Sequence, residues 1–416
     1  MKTTKGLVLA GLVGTMLTLP GCFGGAGRYT TEHASAAKQK MGALKAANFY
    51  EMAAQALSAG DLRKAMSNIQ QSLQINDMVA MSHVLRGRVM MEMGDLEGAT
   101  SAFATAETID PNSVDAQYYQ GVIAERVDRK DDALTRYTKA AELDGTNPQY
   151  AVAAAEMMID LGRVKDAERY LLERRAAFDN NAGVRQLLGH LALINGQADK
   201  AVELLNEARL LAPDSQAITE DLIRAQIATG RNAEAESLLS RLLTDEANKG
   251  RRDLLSLRAR ALTGLNRLIE AREILLSLTT GSAGATDVSA WSLLGQLAFK
   301  LNDATRARQA AGRLIAMAPD SADGYVLRAL LQRRTGDLEA ARSTLNDCVN
   351  RVEDPAALTL LGLVNSELKD LDGARAALAR VLKKDPANEK AVELLAAIDH
   401  ADNIANAPAT PLPTEQ

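Results

Sequence analysis

A period of 34 residues runs through most of this chain. Glycine or aspartate recurs at that spacing at six positions, namely Gly60, Gly94, Asp128, Gly162, Gly196 and Gly230. An alanine follows each of them five residues later, from Ala65 to Ala235. The pattern slips by two residues at Asn266 and again at Asn302, and continues through Gly336 and Lys369. A fixed period of this length indicates stacked supersecondary repeats rather than one compact core.

Each repeat is predicted to form two amphipathic helices joined by a turn. Residues 151–161 and 165–175 carry small or apolar side chains at helical spacing, and the glycine or aspartate between them favours a turn. The chain is 47% hydrophobic but only 3% aromatic, and alanine and leucine supply the apolar content, which is typical of closely packed helices. We therefore predict an all-α fold with about ten repeats over residues 46–388.

These repeats resemble the tetratricopeptide repeat. The run Trp291, Leu294, Gly295, Ala307 and Pro319 follows the landmark residues of that family in order. Glycines occupy the small position, where the two helices approach closely, at Gly87, Gly121, Gly189 and Gly362. The resemblance implies a superhelical solenoid of helix-turn-helix repeats, with a C-terminal capping helix over residues 389–401 and a disordered tail over 402–416.

The amino end predicts a lipid anchor. Residues 6–19 are apolar or small, which is too short for a membrane span and suits the core of a secretory signal. The sequence Leu19-Pro20-Gly21-Cys22 resembles a bacterial lipobox, so we expect a signal peptide over 1–21 and acylation of Cys22. A flexible leash and lead-in helix would follow over residues 22–45. The alternative is a plain signal peptide with an accidental cysteine.

The lipobox also predicts a location. Several acyl chains on one residue hold a protein stably at a bilayer, whereas one holds it only marginally. Phe23 follows the cysteine where an aspartate would, in enterobacteria, retain a lipoprotein in the inner membrane. We therefore expect the protein at the periplasmic face of the outer membrane.

By the family resemblance, the first helix of each repeat lines a concave groove. Its second, fifth, ninth and twelfth positions would face a protein or extended peptide partner. Side chains near these positions form the candidate binding groove: Tyr50, Met81, Arg88, Met91, Tyr118, Glu125, Glu156, His190, Arg224, Arg260, Gln296, Phe299, Lys300, Leu330, Arg333 and Arg334. The first half of this set is mixed and the second half is basic, which favours an acidic segment as ligand. Alternatively, the arginines are ordinary solvated side chains.

No catalytic, metal or cofactor signature stands out. His190 is expected to be a polar groove residue rather than a base, and Cys348 occupies a packing position that predicts a buried, inert thiol. The four histidines are scattered and lack ligand spacing. The net charge of −5 gives no sign of a basic surface that binds nucleic acid. We predict that the protein is not an enzyme and needs no cofactor.

The leading functional hypothesis is a membrane-anchored scaffold for other proteins. Its architecture resembles the tetratricopeptide lipoproteins that assist pilus or secretion-system assembly at the outer membrane. Two alternatives remain open at this point: an adaptor in outer-membrane protein or polysaccharide export, and an accessory regulator of a cell-wall enzyme.

Overall fold

The computed structural model describes the backbone from Arg28 to Ala405 and the side chains from His33 to His400. The predicted signal peptide, Cys22, the leash and most of the predicted tail lie outside these residues. Within the described range the secondary structure consists of helices joined by turns and short connections, with no strand. Ten helical hairpins follow one another along it.

The first helices of the hairpins are α1 (Arg28–Ser58), α3 (Ala80–Glu92), α5 (Val114–Arg126), α7 (Pro148–Asp160), α9 (Ala182–Ile194), α11 (Gln216–Ala228), α13 (Arg252–Gly264), α16 (Val288–Lys300), α18 (Asp323–Arg334) and α20 (Pro355–Glu367). The second helices are α2 (Leu62–Ile75), α4 (Leu96–Ile109), α6 (Lys130–Leu143), α8 (Val164–Arg174), α10 (Ala198–Leu211), α12 (Asn232–Leu242), α14 (Leu268–Leu278), α17 (Ala304–Met317), α19 (Leu338–Val349) and α21 (Leu371–Lys384). Outside the hairpins lie a 3₁₀ helix (Arg175–Phe178), α15 (Gly281–Ala285) and α22 (Glu389–Ala405).

The turn inside every hairpin has left-handed backbone geometry at the residue that the period indicates. The φ angle is positive at Gly60, Gly94, Asp128, Gly162, Gly196, Gly230, Asn266, Asn302, Gly336 and Lys369, with values from 58° to 82°. Glycine takes this conformation at little cost, and Asn and Asp tolerate it better than other residues do. The ten predicted turns are confirmed, including those displaced by the two slips.

An aspartate directly after the turn starts the second helix in half of the hairpins. In α4, for example, the Asp95 carboxylate accepts the Gly98 backbone N–H at 2.9 Å. The same cap is present at Asp61, Asp303, Asp337 and Asp370. Such caps satisfy backbone donors that a helix start leaves unpaired. In these five hairpins the turn and cap together fix where the second helix begins.

The two helices of a hairpin pack through small residues. The alanine five residues after each turn, from Ala65 to Ala374, is fully buried in all ten hairpins. A Cβ added to Gly121 would lie 2.6 Å from Cε1 of Tyr137, so only glycine fits there without movement of its neighbour. Gly87 has the same relation to Phe103, at 2.5 Å. The close approach that the sequence predicts at these glycines is confirmed.

The hairpins group into two compact units, divided between Ala177 and Phe178. The division follows α8, in which only Ala167 and Leu171 are buried. The sequence predicts one array over residues 46–388; hairpins occupy that whole range, but they pack as two units.

Two helices run across predicted segment bounds, whereas α22 begins at Glu389 as predicted. The lead-in and the first helix of the first hairpin form one continuous helix, α1. The capping helix α22 ends at Ala405, four residues beyond the predicted end, so the start of the predicted tail is helical. No helix in the described range is both long and apolar enough to cross a bilayer.

Candidate functional site

The first helices of consecutive hairpins line a shared surface in each unit. In the second unit, α11, α13 and the start of α16 enclose a pocket of about 580 Å³. In the first unit, a pocket of about 380 Å³ is bounded by the α1–α2 turn, α3 and α5. We call each such surface a first-helix face.

Aromatic side chains dominate the first-helix face of the first unit. The Tyr118 ring lies 5.2 Å from the ring centroids of Tyr119 and Tyr150 and 5.5 Å from that of Tyr137. The Arg88 guanidinium lies 5.2 Å from the centroid of the Tyr119 ring, a cation–π arrangement. Tyr118 and Tyr119 are half-buried, so part of each ring faces solvent.

Carboxylates accompany these rings. The Tyr137 hydroxyl donates to Oε2 of Glu125 at 2.6 Å. On the neighbouring first helix, Gln149 Nε2 donates to the Tyr118 hydroxyl at 2.7 Å. Burial raises the pKa of Glu156 above its ordinary value, and the nearby charge of Glu125 raises it further. We call Arg88, Tyr118, Tyr119, Glu125, Tyr150 and Glu156 the tyrosine face.

Most predicted groove residues of the first unit are accessible, and one is nearly covered. Met81 is 61% exposed, Arg88 is exposed and Tyr50 is half-buried. Met91, however, is only 6% exposed and packs in a core cluster with Phe103. Met91 nevertheless lines the pocket of the first unit, so its role as a partner contact stays a prediction.

The pocket in the second unit brings Arg224 and Arg260 together, as the sequence predicts. Arg252, Asp253 and Asp287 also line it, and Ile227 and Leu257 supply apolar wall. We call this set the arginine pocket. The guanidinium of Arg260 has no hydrogen-bond or ion-pair partner in the described part of the chain.

The other charges of the arginine pocket are largely paired. Arg224 lies 2.6 Å from Asp221, and Arg252 forms an ion pair with Asp287. Asp287 has a pKa below its ordinary value: burial raises it, but the backbone N–H of Ala290 and the Arg252 side chain lower it more. Arg260 is therefore the positive charge that a ligand in this pocket would meet.

Further along the second unit, the predicted basic set is only partly available. Arg333 donates to both oxygens of Glu367 at 2.9 Å, so its charge is neutralised. The Arg334 guanidinium lies 3.4 Å from the Phe299 ring centroid and donates to the Phe299 backbone oxygen at 3.0 Å. Of the five predicted basic residues, Arg224 and Arg333 form ion pairs with carboxylates. Arg260, Lys300 and Arg334 form none within the described residues, so the expected basic character of this half is reduced and stays a prediction.

The remaining predicted residues are dispersed. Phe299, Gln296 and Leu330 line a separate pocket of about 240 Å³. Lys300 and His190 are exposed, each on its own first helix. Cys348 is fully buried, and burial raises the pKa of its thiol, so the prediction of a buried thiol is confirmed.

Several residues of these faces escaped sequence reasoning. Tyr119, Arg252 and Asp287 lie outside the four positions that the family resemblance marks as groove-facing. The adjacent pair Tyr118-Tyr119 is a sequence signal that could have been used, since only eight tyrosines occur in the chain. Asp287 caps α16 and could have been recognised only as a helix start.

Family models of the tetratricopeptide repeat match residues 84–148, 192–255, 292–349 and 356–388. Together these segments cover just over half of the chain. The chain belongs to the tetratricopeptide repeat family. Proteins of this family are protein-interaction scaffolds whose stacked repeats present extended binding surfaces.

Individual relatives are distant. The human protein DnaJ homolog subfamily C member 7 is 22% identical over 185 residues, and the match spans 41% of this chain and 37% of that protein. A tetratricopeptide repeat protein from Parabacteroides merdae is 15% identical and covers 61% of this chain and 98% of its own, with a TM-score of 0.46. PilW, a type IV pilus biogenesis factor, is 19% identical and covers 48% of this chain and 93% of its own, with a TM-score of 0.43.

Proposed function

We propose that this tetratricopeptide protein is a lipid-anchored scaffold that holds partner proteins of a pilus or secretion assembly at the periplasmic face of the outer membrane. The observation that carries the scaffold role is the pair of first-helix faces, which offer partly exposed tyrosines and an unpaired arginine across several hairpins. The sequence Leu19-Pro20-Gly21-Cys22 motivates the tether. The assembly role follows from joining these two features in one chain.

The tether is tested by replacing Cys22 with serine. Serine cannot be acylated at its side chain as the lipobox cysteine is, so radioactive palmitate should no longer label the protein and the membrane fraction should lose it. Cys348→Ser is the matched control, because it removes the buried cysteine and should leave labelling unchanged. Equal labelling of wild type and the Cys22→Ser variant would refute the anchor.

The assembly role is tested in a strain that lacks the gene. We expect fewer surface pili or fewer heat-resistant secretin multimers, restored by the wild-type gene and not by the Cys22→Ser gene. Normal levels of both in the deletion strain would rule out this role.

The arginine pocket is tested in the same strain with Arg260→Glu. Arg260 has no partner to lose, so its reversal changes the surface charge without breaking an ion pair within the described residues. Arg308→Glu on the second helix α17 is the control with the same charge change at an exposed site. Full complementation by both variants would exclude the arginine pocket from partner binding.

A further inference from the structure

The tyrosine face differs in charge from the arginine pocket. Carboxylates surround its rings: Glu125 and Glu156 lie near Tyr118, and Glu92 and Asp115 lie near Tyr119. Glu92, Asp115 and Glu156 form no ion pair with any side chain between residues 33 and 400. Glu125 is bound only by the neutral hydroxyl of Tyr137.

Two neighbouring helices present these groups on matching positions. Tyr118 and Glu125 are seven residues apart on α5, and Gln149 and Glu156 are seven residues apart on α7, so each pair lies on one face of its helix. The hydrogen bond between Gln149 and Tyr118 joins the two helices at the end where these two residues lie. At the other end, the charge of Glu125 raises the pKa of Glu156, as expected for two carboxylates close to each other without a cation between them.

The rings of this face already bind a cation from the chain itself. Arg88 extends from α3 over the Tyr119 ring. Tyr118, the neighbouring half-buried tyrosine, has no cation over its ring in the described structure. A lysine or arginine placed over Tyr118 would form a cation–π contact with the ring and would also be attracted by the carboxylates of Glu125 and Glu156.

We propose that the tyrosine face binds a lysine- or arginine-bearing segment of a partner protein. The inference rests on the proposed scaffold function and names the charge of the segment that this part of the scaffold takes. It is opposite in sign to the acidic segment that the arginine pocket favours. A tetratricopeptide scaffold with both sites would accept partners of two kinds.

The test uses fluorescence anisotropy with the full chain carrying Cys22→Ser. The probe is a fluorescein-labelled peptide of four Lys-Ala repeats, and a peptide of four Glu-Ala repeats is the charge-reversed comparison. The test variant is Glu125→Gln with Glu156→Gln, because glutamine keeps the side-chain shape and can still accept the Tyr137 hydroxyl. The control variant is Glu97→Gln with Asp131→Asn, which removes the same charge from exposed sites on second helices of the same unit.

We expect the test variant to weaken binding of the Lys-Ala peptide about fivefold or more and to leave binding of the Glu-Ala peptide unchanged, because the arginine pocket is not altered. The control variant should weaken binding of the Lys-Ala peptide by less than about twofold, and circular dichroism should show that both variants keep their helices. Equal weakening by both variants, or no binding of the Lys-Ala peptide, would overturn the inference. Either result leaves the pilus and secretin tests of the scaffold function unaffected, so the two failures can be told apart.

Discussion

A half-buried glutamate between the second and third hairpins gives the sharpest test of how the first unit is held together. Glu107, on α4, accepts hydrogen bonds from Gln117 at 2.8 Å and from Gln120 at 3.0 Å, both on α5. Arg136, on α6, donates to both of its oxygens at 2.9 and 3.0 Å. One carboxylate therefore ties three consecutive helices.

The strength of this tie follows from its pKa. Burial alone would raise the pKa of Glu107, but the hydrogen bonds and the Arg136 charge outweigh burial and lower it from 4.5 to about 2. At 1.36 kcal/mol per unit, this shift corresponds to about 3 kcal/mol of stability at pH 7. Because the folded pKa is depressed, the stabilisation is present above pH 4.5 and is lost as the pH falls towards 2, with about 2 kcal/mol gone by pH 3.

We therefore expect Glu107→Gln to lower the free energy of local opening of α4–α6 by about 2–3 kcal/mol at pH 7. The difference from wild type should shrink to about 1 kcal/mol at pH 3, because the wild type loses its charge there. Hydrogen exchange of peptides from α4 to α6 is the suitable assay, since repeat arrays open by segments.

The control for this experiment is Glu142→Gln, which removes an exposed carboxylate from α6. It should change the opening free energy by less than about 0.5 kcal/mol at either pH. The reasoning fails if the two variants behave alike at pH 7. It also fails if the effect of Glu107→Gln is equally large at pH 3, because the stabilisation would then not depend on the carboxylate charge.

Three backbone substitutions test the packing and the turns by urea unfolding. Gly121→Ala should destabilise the first unit by about 1–3 kcal/mol, because the new methyl group would meet Tyr137 at 2.6 Å; an unchanged midpoint would contradict it. Gly312→Ala, inside α17 with no atom within 4 Å of the added carbon, should instead stabilise the second unit by up to about 1 kcal/mol. Lys369→Gly should also raise stability, by up to about 1 kcal/mol, because a lysine with φ of 64° is strained; a lower midpoint would argue against strain at this turn.

The sequence predicted the hairpins well because backbone geometry limits which residues fit each turn. Each hairpin requires one residue with left-handed backbone geometry, and only Gly, Asn and Asp take that conformation readily. The 34-residue period can therefore be recognised from the residue types at the turn positions. Lys369 is the exception, because the conformational preference of lysine does not predict a left-handed turn. Its turn position follows only from the repeat spacing.

The charge of the faces was harder to predict because it depends on partners one repeat away. Arg333 and Glu367 are 34 residues apart, and nothing in either local sequence says that the two side chains meet. Arg252 and Asp287, 35 residues apart, pair in the same way. A position can be assigned to a face from the repeat, but whether its charge is free depends on what the next first helix presents.

The same dependence explains why a repeat array can combine unlike binding sites. The packing residues of each hairpin, such as the buried Ala133 and the close-approach Gly121, are held fixed by the neighbouring helix. The first-helix positions between them contact one neighbour on each side, and they can change without disturbing the buried alanines. In the first unit these positions carry tyrosines and unpaired carboxylates, and in the second they carry arginines that are partly neutralised. Under the proposed scaffold function, partner choice would be set by two or three adjacent hairpins. Exchanging the α5 and α7 face residues should then change one partner and leave any binding at Arg260 intact.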